Sequence, residues 1–122
     1  MKIYESKKYP FVNLDIEIDD FSIILNGYAD TGAESHGVFI SEIYLDYSKI
    51  KQDCVIVDVE TADGKVHRWE SYLAKVTIGN QGFITTIVIT KGTDEIVIGR
   101  GLLDQFETIF NGPKKKLILN SI

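Results

Sequence analysis

Tyr28-Ala29-Asp30-Thr31-Gly32-Ala33 is the stretch on which the reading of this chain turns. It follows a strand-like run, Phe21 to Leu25, from which Asn26-Gly27 permits a tight bend or bulge. Upstream, Val12, Leu14, Ile16 and Ile18 are apolar while Asn13, Asp15 and Glu17 are polar. That alternation predicts a half-buried strand over Phe11 to Ile18, and Asp19-Asp20 then turns the chain. Asp30 thus belongs to a loop leaving a strand pair. Asp-Thr-Gly by itself is an ordinary surface turn in which Asp caps backbone donors, so its meaning depends on what accompanies it.

Downstream, Val55 to Thr61 and Lys65 to Leu73 flank Ala62-Asp63-Gly64, and Asp-Gly between two extended runs signals a projecting hairpin. Val76 to Ile78 and Phe83 to Thr90 read as another strand pair around Asn80-Gln81-Gly82, followed by a turn at Lys91-Gly92-Thr93-Asp94. Ile96-Val97-Ile98, an unbroken apolar run ending at Gly99, has the pattern of a strand buried on both faces. Leu102, Leu103 and Phe106 are spaced for the buried stripe of one short helix over Leu102 to Phe106. Asn111-Gly112-Pro113 turns into a closing strand, Lys116 to Leu119. No window keeps a helical period for a dozen residues, so the expected class is all-β. Trp69, a large aromatic on a strand, is expected in the core rather than over a substrate.

The 122 residues fit one domain spanning 1–122, and 44% apolar with 25% charged residues is a globular composition. Thirteen basic against 18 acidic residues give a net charge of −5, and apart from Lys114-Lys115-Lys116 the basic residues are scattered. No footprint for nucleic acid results. The lysine run is expected to guard a strand edge from stray pairing. Cys54 is the sole cysteine, which excludes an internal disulfide and suits a reducing compartment, hence a cytoplasmic location. It is expected as a small buried hydrophobe or a bystander thiol. His36 and His67 have no metal-ligand spacing and are expected exposed or locally bonded, so no metal is expected. The start, Met1 to Lys8, has no apolar segment, and the longest charge-free stretch, Val76 to Thr90, is rich in Thr, Gly and Asn; neither secretion nor a membrane span is expected.

Taken in order, Asp30-Thr31-Gly32-Ala33, the hairpin at Ala62-Asp63-Gly64, and Val97-Ile98-Gly99-Arg100 before a Leu-rich helix resemble the retropepsin-like aspartic proteases. The closest flavour is the small single-lobe members of prokaryotes and retroelements, and the similarity spans Pro10 to Leu119. The resemblance implies a closed, mostly antiparallel β-barrel with one short helix. It implies that Asp30 is the catalytic carboxylate, with Thr31 and Gly32 shaping its loop and the Thr31 hydroxyl gripping a partner loop. Ala33, Ala62, Asp63 and Gly64 would contact substrate, the last three as a flap. Gly99 would lie under the loop, and Glu34 and Arg100 would form a partly buried ion pair bracing it. Tyr28-Ala29 departs from the apolar pair common before the Asp, and Ser35-His36-Gly37 is more polar than usual.

The chemistry has a physical basis. Peptide hydrolysis at mild pH needs an acid for the carbonyl oxygen and a base for water at once, and two carboxylates sharing one proton supply both. Only one Asp-Thr-Gly exists here, so the expected active form is a C₂ homodimer in which two Asp30 side chains meet. The expected substrate is an extended polypeptide, and no cofactor is needed. Two alternatives stand beside this reading: a non-catalytic peptide-binding or dimerisation module on the same scaffold, and an unrelated small barrel in which Asp-Thr-Gly is only a turn.

Overall fold

The structure, a computed structural model, describes residues 1–33 and 35–122. The strands are β1 (Lys2–Glu5), β2 (Phe11–Ile18), β3 (Phe21–Ala29), β4 (Val38–Ser41), β5 (Val55–Glu60), β6 (Val66–Ile78), β7 (Gln81–Thr90), β8 (Ile96–Ile98), β9 (Glu107–Asn111) and β10 (Lys116–Asn120). One turn of helix, α1 (Arg100–Leu103), follows β8, and two 3₁₀ turns, Glu42–Tyr44 and Tyr47–Lys49, lie between β4 and β5. Seven strands run in the order β2-β3-β8-β4-β7-β6-β5, and a further β2–β6 pairing closes the first six into a barrel. The pairs β3–β8 and β4–β7 are parallel; the other pairings of this sheet are antiparallel. The all-β, mostly antiparallel closed barrel with one short helix is therefore what the chain forms. A second, antiparallel sheet, β1-β10-β9, joins the two ends of the chain.

The period-two pattern decides which side chains fill the barrel. Val12, Leu14, Ile16 and Ile18 are fully buried and meet Val38, Ile40, Val76, Ile87, Ile89 and Ile98 from the other staves. A barrel this narrow is filled by side chains rather than solvent. Leu102 and Leu103 of α1 and Phe106 just beyond it cover one end of this core, with Phe106 edge-on to Phe83 at 4.8 Å between centroids. No helix among the described residues is long and apolar enough to cross a membrane.

Several local expectations are corrected. Asn26-Gly27 does not bend the chain: β3 runs straight through, because Gly27 is where Ile98 of the parallel neighbour passes, and a Cβ there would lie 2.7 Å from Ile98 Cγ1. Val66 to Ile78 is one long strand, and the turn to β7 is Gly79-Asn80, not Asn80-Gln81-Gly82. The helix begins at Arg100 and ends at Leu103, since extended Gly99 serves as its N-cap and Asp104 as its C-cap. Lys114–Lys116 guards no edge, because β10 is the middle strand of its sheet, and Lys116 lies 3.6 Å from Glu5 of β1. Trp69 is only half-buried and lies outside the core cluster, and Cys54 is exposed, which removes the buried-hydrophobe alternative and leaves the bystander thiol.

The connection before β5 is tied down by side chains standing in for a strand. Asp19 accepts hydrogen bonds from the Lys51 and Gln52 N–H groups at 2.7 and 2.8 Å. These bonds, the Gln52 one first, hold the Asp19 carboxyl below its ordinary range. The Gln52 amide exchanges two bonds with the backbone of Leu73, both 3.0 Å, which continues the β6 ladder where β5 has not yet begun. This seating sets where the β5–β6 hairpin leaves the barrel.

Candidate active site

Asp30 lies immediately after β3, and the loop it opens is held from several sides. Its N–H donates to the Ile98 carbonyl at 3.0 Å, and its Oδ1 accepts from the Gly32 N–H at 2.8 Å. A Cβ on Gly32 would stand 3.2 Å from that same oxygen, so glycine permits the close approach of backbone to carboxylate. Ala33 N–H returns to the Asp30 carbonyl at 3.2 Å, while the Ala33 carbonyl accepts from Arg100 N–H at 2.7 Å. The loop therefore bridges the end of β3 and the start of α1.

Gly99 sits in the angle of this bridge. Its N–H donates to the Gly37 carbonyl at 2.9 Å, and a Cβ on it would overlap the His36 carbonyl oxygen and come within 3.0 Å of the Ala33 carbonyl oxygen. Two stretches of backbone, at Ala33 and at His36–Gly37, thus converge on a position that only glycine fills. The side chain of Arg100 points to Asp104, 3.4 Å away and half-exposed. The expected Glu34–Arg100 pair lies outside the described residues, because Glu34 is not among them.

Asp30 borders an open cleft of about 650 Å³. Gly32, Ala33 and Val97 line it near the loop, and the β5–β6 hairpin supplies the facing wall through Asp58, Val59, Glu60, Thr61 and Ala62. Of the residues expected to contact substrate, Ala33 and Ala62 line this cleft. Asp63 and Gly64 sit at the exposed hairpin tip instead, where the Asp63 carboxylate accepts from the Thr61 hydroxyl and the Lys65 N–H and Gly64 takes a φ of +82°. Those bonds, the Thr61 one first, lower the Asp63 pKa and shape the turn.

On its other side Asp30 borders a smaller hollow of about 400 Å³, shared with Thr31, Tyr9, Pro10, Tyr28 and Phe110. Tyr28 is 45% and Phe110 38% exposed. The carboxylate therefore stands between a walled cleft and an exposed aromatic face.

Sequence reasoning missed several residues of the cleft. His36 lines it, edge-on to Phe39 at 5.8 Å, and burial holds its imidazole below the usual histidine range. Its Nδ1 is buried without a hydrogen-bond partner among the described residues. Trp69 lines the cleft too, stacked on His67 at 4.5 Å with ring planes 9° apart. Trp69 and its stacking partner His67 follow β6 alternation, which places positions 67 and 69 on one side of the strand, a signal visible once that strand is known to project beyond the barrel. Thr90, Thr93 and Glu95 arrive from the end of β7 and the turn before β8, and nothing local marks them.

Among the described residues, no group of three His, Cys, Asp or Glu side chains is placed to hold a metal ion. Compared with known proteins, the chain matches no protein-family model and no curated protein. A carboxylate with one oxygen fixed by an amide at the edge of a peptide-sized cleft is suited to acid–base work on a bound chain, but a single such carboxylate is half of an acid–base pair.

Proposed function

We propose that this protein is an aspartic endopeptidase of the retropepsin-like kind, active as a C₂ homodimer in which the Asp30 carboxylates of two copies share one proton. The observation that carries this reading is the placement of Asp30. It stands on a glycine-backed loop braced by Ile98 and Arg100, facing a cleft whose opposite wall is a projecting hairpin. The Thr31 side, with exposed Tyr28 and Phe110, is the face to which the second copy would bring its own loop.

In this mechanism the ionised Asp30 takes a proton from water as the water oxygen bonds to the peptide carbonyl carbon. The protonated Asp30 of the second copy gives its proton to the carbonyl oxygen. The tetrahedral intermediate then collapses: the Asp30 that took the proton from water gives it to the amide nitrogen, the now ionised Asp30 of the second copy takes a proton from a gem-diol hydroxyl, and the C–N bond breaks. Two like charges at about 3 Å cannot both ionise cheaply, so one proton is retained across the working range. The limbs of the rate profile would belong to the pair.

The test is cleavage of a mixed peptide library by wild type and by Asp30→Asn, read by mass spectrometry, with sedimentation across pH alongside. The amide keeps the shape and the acceptor toward Gly32 but cannot act as a base, so Asn is expected to abolish cleavage while the fold persists. Dimer affinity of the wild type is expected to fall as pH rises and the pair loses its shared proton, and the Asn variant is expected to show no such trend. Products from the Asn variant at a rate near wild type would refute Asp30 as the catalytic group. Peptide binding without Asp30-dependent products would point to the non-catalytic peptide-binding module.

A further inference from the structure

Beyond Asp30, the cleft carries three more carboxylates, Asp58 and Glu60 on the hairpin wall and Glu95 beside β8, and no Lys or Arg lines it among the described residues. Asp58 is partly answered by Arg68 at 3.6 Å, an exposed pair. Glu60 and Glu95 have no cationic partner among the described residues. His36 is poorly suited to offset them, since burial lowers its pKa and so disfavours the charged imidazole.

Two further observations at the same place point to a ligand. Thr90, only 6% exposed, lines the cleft with its hydroxyl oxygen buried and without a hydrogen-bond partner among the described residues. A buried hydroxyl left unpaired is costly, and a hydroxyl oxygen readily accepts from an ammonium or guanidinium N–H. Trp69 adds an aromatic surface, the side-chain type that best attracts a cation. Carboxylates on facing walls, an unpartnered acceptor and an indole together describe a receptor for an organic cation on an apolar stem.

We propose that the cleft selects extended peptides carrying a lysine or arginine side chain, the cationic head lying between Glu60 and Glu95 and donating to Thr90 while its stem runs along Val97 and Trp69. This rests on the peptidase reading for what happens to the peptide afterwards, but the selection itself is a binding property. The stem buries apolar surface and the head keeps its charge within reach of both carboxylates, a division that long basic side chains allow. With partly solvated partners, each carboxylate contributes modestly.

The experiment measures binding of paired decapeptides, identical except for lysine or norleucine at one central position, to the full-length Asp30→Asn protein by titration calorimetry. The lysine peptide is expected to bind about fivefold to tenfold more tightly. In a Glu60→Gln/Glu95→Gln background the preference is expected to fall below about twofold. Glu17→Gln, on the outer surface of β2, removes charge without touching the cleft and is expected to keep the preference. Equal affinities for the two peptides, no binding of either, or a preference that survives loss of Glu60 and Glu95 would overturn the proposal. Library cleavage by the wild type separates the two readings: Asp30-dependent products with no enrichment of basic residues would refute the selection and leave the peptidase standing. Lysine peptides that bind as expected and remain uncut would uphold the selection and refute the peptidase.

Discussion

Replacing Gly99 by alanine tests whether the Asp30 loop is braced as described. The added methyl would overlap the His36 carbonyl oxygen, with the Ala33 carbonyl oxygen at 3.0 Å and Phe39 Cε2 at 3.2 Å. Two of these obstacles are backbone, so no rotamer change relieves the clash. Overpacking at a close-packed site costs about 1–3 kcal/mol. Moving the loop away also strains the Arg100 to Ala33 and Gly99 to Gly37 bonds, at 2.7 and 2.9 Å, and losing one adds about 1 kcal/mol. The expected total is about 2–4 kcal/mol. With an unfolding entropy of about 2.1 cal/mol/K per residue, that lowers Tm by about 8–16 °C for a chain of this length. Gly112→Ala is the control, because nothing lies within 4 Å of a Cβ there. It is expected to stay within about 1 kcal/mol of wild type. Calorimetric melting of the three proteins at one pH and concentration reads the difference. A Gly99→Ala protein that melts with the Gly112→Ala control would show that the strand under Asp30 does not hold the loop.

Two other outcomes follow from the same packing. Leu102→Ala removes a fully buried side chain from a helix of a single turn, where little backbone can collapse into the space, and is expected to cost about 2–5 kcal/mol in urea unfolding; a loss under 1 kcal/mol would show that α1 does not seal the barrel. For His36, burial lowers the folded pKa below its ordinary 6.5, so between the two values the unfolded chain binds more protons and stability rises with pH, becoming flat above the unfolded value. Comparing urea midpoints from pH 5 to pH 8, His36→Leu is expected to lose that part of the slope, and a variant as pH-dependent as wild type would refute the assignment.

Much of the barrel was legible because a side chain's exposure in a strand is set by parity. The alternation from Val12 to Ile18 and the Asp-Gly between Thr61 and Lys65 needed no tertiary knowledge to be read correctly. β4 escaped for the opposite reason: Val38 to Ser41 is short and mostly buried, so it carries no alternation. β1 is held by β10 from the far end of the chain, a pairing that local pattern does not encode, whereas β9 meets β10 across the short turn after Asn111. Gly27 looked like punctuation and is a packing contact, since the same missing Cβ serves a turn or a close neighbour, and only the neighbour distinguishes them.

The sequence by itself determined the strand-rich class, the hairpin, the core face of β2 and the identity of Asp30-Thr31-Gly32 as a distinctive loop, because each depends on residues within one or two turns of chain. Tertiary structure alone decided which groups Gly99 meets under that loop, the carbonyls of His36 and Ala33. It alone took Trp69 out of the core and made it a wall of the cleft, and it alone gathered Asp58, Glu60, Thr90 and Glu95 around one space. Those residues come from β5, the end of β7 and the turn before β8, which are distant along the chain and not adjacent in the sheet, and the company a side chain keeps there is set by strand order, which no local pattern records.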